Sequence, residues 1–363
     1  LTRAQQQERT RAAVLAAARR ELAEHGYAEA KVDRIAERAE LTRGAVYSNF
    51  PSKRALYLAV LVDLAEHAAA GEVPGSPPPS AAAALGAFAR LWLQRLPLVD
   101  DPPAGGRLQL RSLAGVVEDE PARTALAQVV RLEALLLALA LEAHGPQRKG
   151  LRRVRLAELV LTLLHGAGQL AETAPGYGDP FDVVRACEHL AGIDLADRWD
   201  PPHLPYAAPA QPCQDAWAPP AGLPDTLSGR RVGFGADGVV AVLGSTRLEA
   251  AEEAVRGARP RDRITVAVVT GDPAEIGRLL RLRITDLTGC LRRVVAADPW
   301  PRLHVVLDDR AQLAAAAGVP DVDDATEAAI RVQDGRIVAR SNGRGAAHAA
   351  ATAGATRSHG AGP

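Results

Sequence analysis

The chain has 363 residues, enough for two or three domains. Its 43 basic and 43 acidic side chains balance, which excludes a global electrostatic pull toward nucleic acid, so any polyanion must be met by a local patch. Three cysteines, none in a C-x-x-C pair, argue for a reducing cytosol without a disulfide framework, and the absence of a signal peptide or bilayer-length apolar run leads us to expect a cytoplasmic chain with no membrane partner.

In chain order, Glu8 to His25 reads as a helix with Val14, Leu15, Ala18 and Leu22 on one stripe, stopped by Gly26. Two short helices follow in Val32 to Lys53. Ile35, Ala36 and Ala39 form one apolar face, Val46, Tyr47 and Phe50 another, and Glu40-Leu41 makes the turn. Thr42 is placed to N-cap the second of these helices. That helix carries Arg43, Gly44, Ala45, Ser48 and Asn49 outward, short or polar side chains suited to close approach to base edges in a major groove. Pro51-Ser52 starts another helix with Lys53 and Arg54 in its first turn, where cations oppose the helix dipole unless an anion such as phosphate docks there. The local basic patch comprises Arg3, Arg9, Arg11, Lys31, Arg43, Lys53 and Arg54.

The run GYAEAKVDRIAERAELTRGAVYSNFPSKRALY resembles the DNA-binding domain of the TetR (tetracycline-repressor-like) family nearly throughout. The resemblance implies contacts to double-stranded DNA from Lys31, Thr42, Arg43, Gly44, Ala45, Tyr47, Ser48, Asn49 and Lys53. Two positions depart from the family pattern. Glu40 stands where the turn usually has Gly, at a cost of about 1–2 kcal/mol if the backbone is left-handed, and Asn49 stands where a His is usual.

From Ser52 to about Leu195 the pattern is helical, with segments at Leu56–Ala70, Ala81–Leu96, Leu108–Val117, Ala122–His144, Val154–Ala171 and Pro180–Ala191. The resemblance implies a ligand-binding and dimerisation domain whose last two helices pair with their mates in a homodimer. Leu156, Leu159, Val160, Leu163 and Leu164 form a broad apolar stripe there, and Gly166 and Gly168 allow close approach. Polar residues facing a bundle core would select a small-molecule effector. Trp92, Gln94, Arg107, Gln109, Arg111, Arg131, His144, His165 and Gln169 are the candidates. The histidines show no metal-ligand spacing, so neither metal nor cofactor is expected.

Residues 196–228 read as a Pro-rich linker pinned by Trp199, Tyr206 and Trp217. Beyond it, strand-like runs at Arg231–Phe234, Val239–Leu243, Ile264–Thr270, His304–Leu307, Ala328–Val332 and Arg336–Arg340 alternate with helical runs at Arg247–Gly257, Pro273–Arg283 and Arg310–Ala317, which predicts an α/β layer fold. Gly233, Gly235 and Gly238 match G-x-G-x-x-G, but a strand follows where a dinucleotide site needs a helix. Asp237-Gly238 and Asp334-Gly335 read instead as hairpin turns.

The order of elements resembles the thioredoxin-like fold. The redox cysteines that fold would carry are absent: Gly244, Ser245, Thr246, Arg247 and Leu248 open the helix instead, Thr326 takes the place of the cis-proline, and Cys290 lies elsewhere. Thiol exchange needs a thiolate at that helix start, so the domain reads as a redox-inactive copy.

The expected architecture is thus an all-α N-terminal two-thirds followed by an α/β domain. Its segments are a helix-turn-helix domain (1–53), a helical ligand and dimerisation domain (54–195), the linker (196–228), the thioredoxin-like domain (229–345) and a flexible tail (346–363). The expected function is a ligand-responsive repressor, not an enzyme, that binds a palindromic operator as a homodimer. The alternatives are an oxidoreductase fused to a DNA-binding head, and a regulator whose effector binds the C-terminal domain.

Overall fold

A computed structural model describes residues 2–69, 78–95, 113, 115–143, 152–195, 197–295 and 298–354. The chain divides into two units, a helical one (residues 1–197 and 272–299) and an α/β one (residues 198–271 and 300–363).

In the helical unit, α1 (Arg3–Glu29) begins at a capping box in which Thr2 and Gln5 satisfy each other's backbone N–H groups. Gly26, at φ 71° and ψ 174°, breaks its regular course where the sequence predicts a stop. Then come α2 (Val32–Arg38), α3 (Arg43–Asn49) and α4 (Lys53–Ala69). Three further helices start at side-chain caps: α5 (Ala81–Leu93) at Ser80, α6 (Glu120–Glu142) at Asp119 and α8 (Pro180–Leu190) at Asp179. Between the last two lies α7 (Val154–Thr173). The predicted Leu108–Val117 helix falls mostly outside the described residues.

α6 is long and apolar enough to cross a membrane by length and composition, which corrects the expectation of no such run. Most of that stretch is buried, Gln128 and Glu133 included, as befits the core helix of a bundle.

The α/β unit has a six-stranded mixed sheet in the order β1-β8-β7-β4-β5-β6. The strands are β1 (Gln211–Ala216), β4 (Gly238–Gly244), β5 (Arg263–Val269), β6 (Leu303–Leu307), β7 (Glu327–Gln333) and β8 (Arg336–Asn342). β4, β5 and β6 run parallel, while β7, β8 and β1 are antiparallel to their neighbours. The uninterrupted apolar run of β4 suits a strand covered on both faces. β2 (Leu223–Pro224) and β3 (Arg231–Val232) form a separate pair. Helices α9 (Ala250–Gly257), α11 (Gln312–Ala316) and α12 (Ala346–Thr352) complete this unit.

Several expectations change here. β3 pairs with β2 and not with β4, so Asp237-Gly238 is no hairpin. Gly238 is required for another reason: a Cβ on it would lie 1.9 Å from the Arg263 carbonyl oxygen of the adjoining strand. Asp334-Gly335 does form the predicted turn, with φ of 49° and 69°. The segment read as a linker contributes β1, an edge strand that tolerates Pro212. Trp217 pins it, donating to the Phe234 carbonyl at 2.6 Å, and Trp199 lies against Arg256 and His348, but Tyr206 is exposed. The segment read as a flexible tail begins with α12, whose alanines are buried. Small side chains let α12 pack against α9, where Ala351 fills the space that a Cβ on Gly257 would take.

The largest departure concerns the connection from β5 to β6. It carries α10 (Ile276–Arg292), longer than the predicted Pro273–Arg283, and this helix belongs to the helical unit. There it packs on α4 and α6 and touches α5.

Within the α/β unit, the buried Glu253 carboxyl lies 2.7 Å from His203 Nε2. Burial pushes its pKa up to about 7, against the His348 backbone N–H that it accepts. Its protonated form is therefore favoured in the folded state, and the stability this contributes, full below about 4.5, is lost as pH rises toward 7. Glu327 is raised by burial in the same sense, while His203 and His348 are lowered by burial and act in the opposite sense. A difference measurement isolates Glu253. Glu253→Gln should gain stability over the unaltered chain across this window, to at most about 3 kcal/mol. Denaturant unfolding at pH 5 and pH 8 checks this, and an equal difference at both would refute it.

Candidate nucleic-acid interface

The turn between α2 and α3 is built by short-range chemistry. The Leu41 N–H returns to the Ala36 carbonyl at 2.9 Å, and Glu40 sits at φ 56°, the left-handed conformation inferred for a position better suited to Gly. Glu40→Gly should therefore stabilise the unit by about 1 kcal/mol, read as a higher unfolding midpoint; a lower midpoint would show that the Glu40 side chain holds the turn. The Thr42 hydroxyl accepts from the Ala45 N–H and caps α3 as predicted. Ile35, Ala36, Val46 and Phe50 are buried beneath, and Ala39 and Tyr47 are half-buried.

α3 leaves Thr42, Arg43, Gly44 and Ser48 exposed, with Ala45, Tyr47 and Asn49 half-buried. Open space surrounds Gly44, where the nearest atom to an added Cβ is Thr42 Oγ1 at 3.9 Å. Arg43 lies 5.5 Å from the Tyr47 ring centre and 3.3 Å from Asp33. Such an exposed pair is weak and exchanges readily for phosphate or a base edge. Ser48 Oγ and Asn49 Nδ2 both donate to the Ala45 carbonyl at 2.9 Å. Lys31 is exposed and its N–H bonds Glu21. Lys53 donates to the Ala28 carbonyl at 2.9 Å, with its ammonium 5.1 Å from the Tyr27 ring centre. Partial burial holds its pKa below the usual lysine range.

The basic patch is smaller than the sequence suggests. Arg54 is held by Glu275 at 2.5 Å and by Asp119, so its anions come from the protein. Arg11 lies 5.0 Å from the centre of the Phe50 ring. Of the two cations in the first turn of α4, Lys53 is thus the one held by a backbone carbonyl and not by carboxylates. Sequence reading missed Asp33, Asp119 and Glu275 as partners, because only the fold brings them near. Glu21, Glu24 and His25 are close enough to suggest a cation site, but Arg34 and Arg38 lie against Glu21 at 3.6 Å and 3.5 Å, and Arg38 also pairs with Glu24. The cluster is an ion-pair network tying α1 to α2.

The residues offered for an effector separate. Trp92 is buried and meets the half-buried His165 edge-on, with ring centres 5.3 Å apart. Arg131 and Gln169 are exposed, as is Gln94, so they do not face the bundle core. Around α6 the apolar stripe is too broad for its polar face to be phased from sequence. Arg107, Gln109, Arg111 and His144 lie outside the described residues. Arg283 of α10, not foreseen, bonds His165 Nε2 at 2.7 Å and Glu133 at 2.7 Å.

The family model described as bacterial regulatory proteins, tetR family, matches residues 14–60. Among solved structures, one assigned by its description to the TetR-family transcriptional regulators, from Rhodococcus sp., is 23% identical with a TM-score of 0.35, over 51% of this chain and 96% of that one. A second, from work on control of antibiotic production by a bacterial hormone, is 25% identical with a TM-score of 0.30, over 50% and 95%. A third, described as a transcriptional regulator of Streptomyces coelicolor, is 25% identical with a TM-score of 0.29, over 50% and 97%. No curated protein matches the chain. The three-helix head built by α1, α2 and α3, with the start of α4, thus matches the N-terminal domain of bacterial regulatory proteins of the tetR family over residues 14–60.

Proposed function

We propose that this protein is a transcriptional repressor that binds a palindromic operator as a homodimer, releases it in response to a small molecule, and acts in the cytoplasm without enzymatic activity. The observation that carries this reading is α3: a capped helix that turns Arg43, Gly44 and Ser48 to solvent, inside a domain matched by a regulator family. Lys31, Thr42, Ala45, Tyr47, Asn49 and Lys53 surround it and complete the contact set. Dimerisation is supported by Leu159, Leu170, Tyr177, Phe181, Ile193 and Leu195, large apolar side chains left exposed on and around α7 and α8. Covering them with a second copy would bring two recognition helices to one palindrome, whose half-sites lie about 34–36 Å apart.

Lys53→Ala should weaken binding to all DNA sequences and reduce the salt slope by about 1. Titration at several salt concentrations reads this; an unchanged slope would remove Lys53 from the phosphate contacts.

Two observations favour the effector acting through the α/β unit. His165, which meets Trp92 edge-on, is already bonded by Arg283 of the protein's own α10. The α/β unit has an open groove of about 800 Å³ lined in part by Gln214, Arg259, Arg331, His348 and Thr352. The strand order, with β4 between parallel β5 and antiparallel β7, supports the thioredoxin-like reading of that unit. Against an oxidoreductase, Ser245 and Thr270 both donate to Asp324 at the end of β4, and Asp324 backbone fills the space beside Gly244. Cys290 is buried on α10 and Cys187 on α8, both in the helical unit.

A further inference from the structure

α10 joins two parts of the helical unit that the preceding reading treats separately. Its N-terminal end holds the DNA-reading head. Glu275, its N-cap, pairs with Arg54 at 2.5 Å and accepts from the Ser52 hydroxyl, and Arg278 donates to the Ala55 carbonyl at 3.2 Å. The Arg278 guanidinium also lies 5.4 Å from the centre of the Phe50 ring, and Phe50 is the C-cap of α3. Further along, Arg283 reaches Glu133 and His165, and Asp286 pairs with Arg95. One 17-residue helix thus touches the end of the recognition helix and the interior residues offered for an effector.

Its fastenings are polar. Arg283 and Glu133 are 4% and 1% exposed, and Asp286 is 3% exposed. Buried ion pairs contribute less stability than apolar side chains of the same volume, and their best-attested use is to fix one register of a helix. Both ends of α10 run into the α/β unit, which the chain leaves after Gly271 and re-enters at Trp300.

We propose that α10 is an intramolecular regulatory ligand: a helix lodged in the helical unit whose contacts with Ser52, Arg54, Ala55 and Phe50 set the DNA affinity of the reading head. This rests on the DNA-binding reading above. A regulatory ligand acts through contacts that one state holds and another lacks, and the contacts of Glu275 and Arg278 with the head are those whose loss would distinguish the two.

The test uses the full-length chain and an operator selected with the unaltered protein. Glu275→Gln combined with Arg278→Met should change operator affinity by about tenfold or more and speed amide exchange across residues 43–58, while α7 keeps its protection. Arg278→Lys, which keeps the charge over Phe50, should restore affinity when paired with native Glu275. Should the double variant fail to fold, Glu275→Gln alone, at a carboxylate 19% exposed, carries the same test. An affinity within about twofold of the unaltered chain, with exchange at the head unchanged, overturns the proposal and leaves the DNA-binding reading intact. Failure of the unaltered chain to select any DNA overturns both.

Discussion

Replacing Arg283 with leucine should destabilise the helical unit by about 3–5 kcal/mol. The Glu133 carboxylate, 1% exposed on α6, would then be left buried opposite an apolar side chain, and His165 would lose its 2.7 Å partner. Replacing both members, Glu133→Leu with Arg283→Leu, should recover most of that loss, because the desolvation of both ions disappears together. Denaturant unfolding of the four chains in a double-mutant cycle measures the coupling. Additive effects would show that the two side chains do not interact.

Phe50→Ala should cost about 3–5 kcal/mol in the reading head and abolish operator binding at moderate salt. The ring is fully buried, its N–H closes α3 on the Val46 carbonyl at 2.9 Å, and the Arg11 and Arg278 guanidiniums lie 5.0 Å and 5.4 Å from its centre. Removing it takes away the common surface on which α1, α3 and α10 meet. Phe50→Leu keeps most of the volume and should cost about 1 kcal/mol. Thermal unfolding followed with amide exchange across residues 32–58 reads both; an unchanged midpoint for Phe50→Ala would mean that the head does not depend on this contact.

The reading head was legible because its instructions are local. Gly26 interrupts a helix and Thr42 caps one within a few residues of the contacts that enforce them, while the left-handed turn at Glu40 was raised by the family resemblance. Strands β3 to β8 were legible from the same kind of signal, a short run bounded by turn residues, whereas β1 and β2 lie in the Pro-rich stretch and were not. Partners were not. The pattern of residues 273–283 predicts a helix, but such a pattern does not say what buries it, so the extension to Arg292 and the membership in the helical unit were hidden. Arg54 looked like an unpaired cation because Glu275 and Asp119 are remote in sequence. Gly238 was assigned to a turn because a close approach of β5 leaves no local mark. Arg131 and Gln169 read as core candidates because their helices are rich in apolar residues, which does not fix the face that a polar side chain occupies. Cutting the chain before residue 225 would not isolate the helical unit, since α10 would be lost with the rest.

Selection of bound DNA from a random pool by the full-length protein should recover one palindrome, lost on Arg43→Ala and Lys53→Ala together. Recovery of no enriched sequence would contradict operator binding.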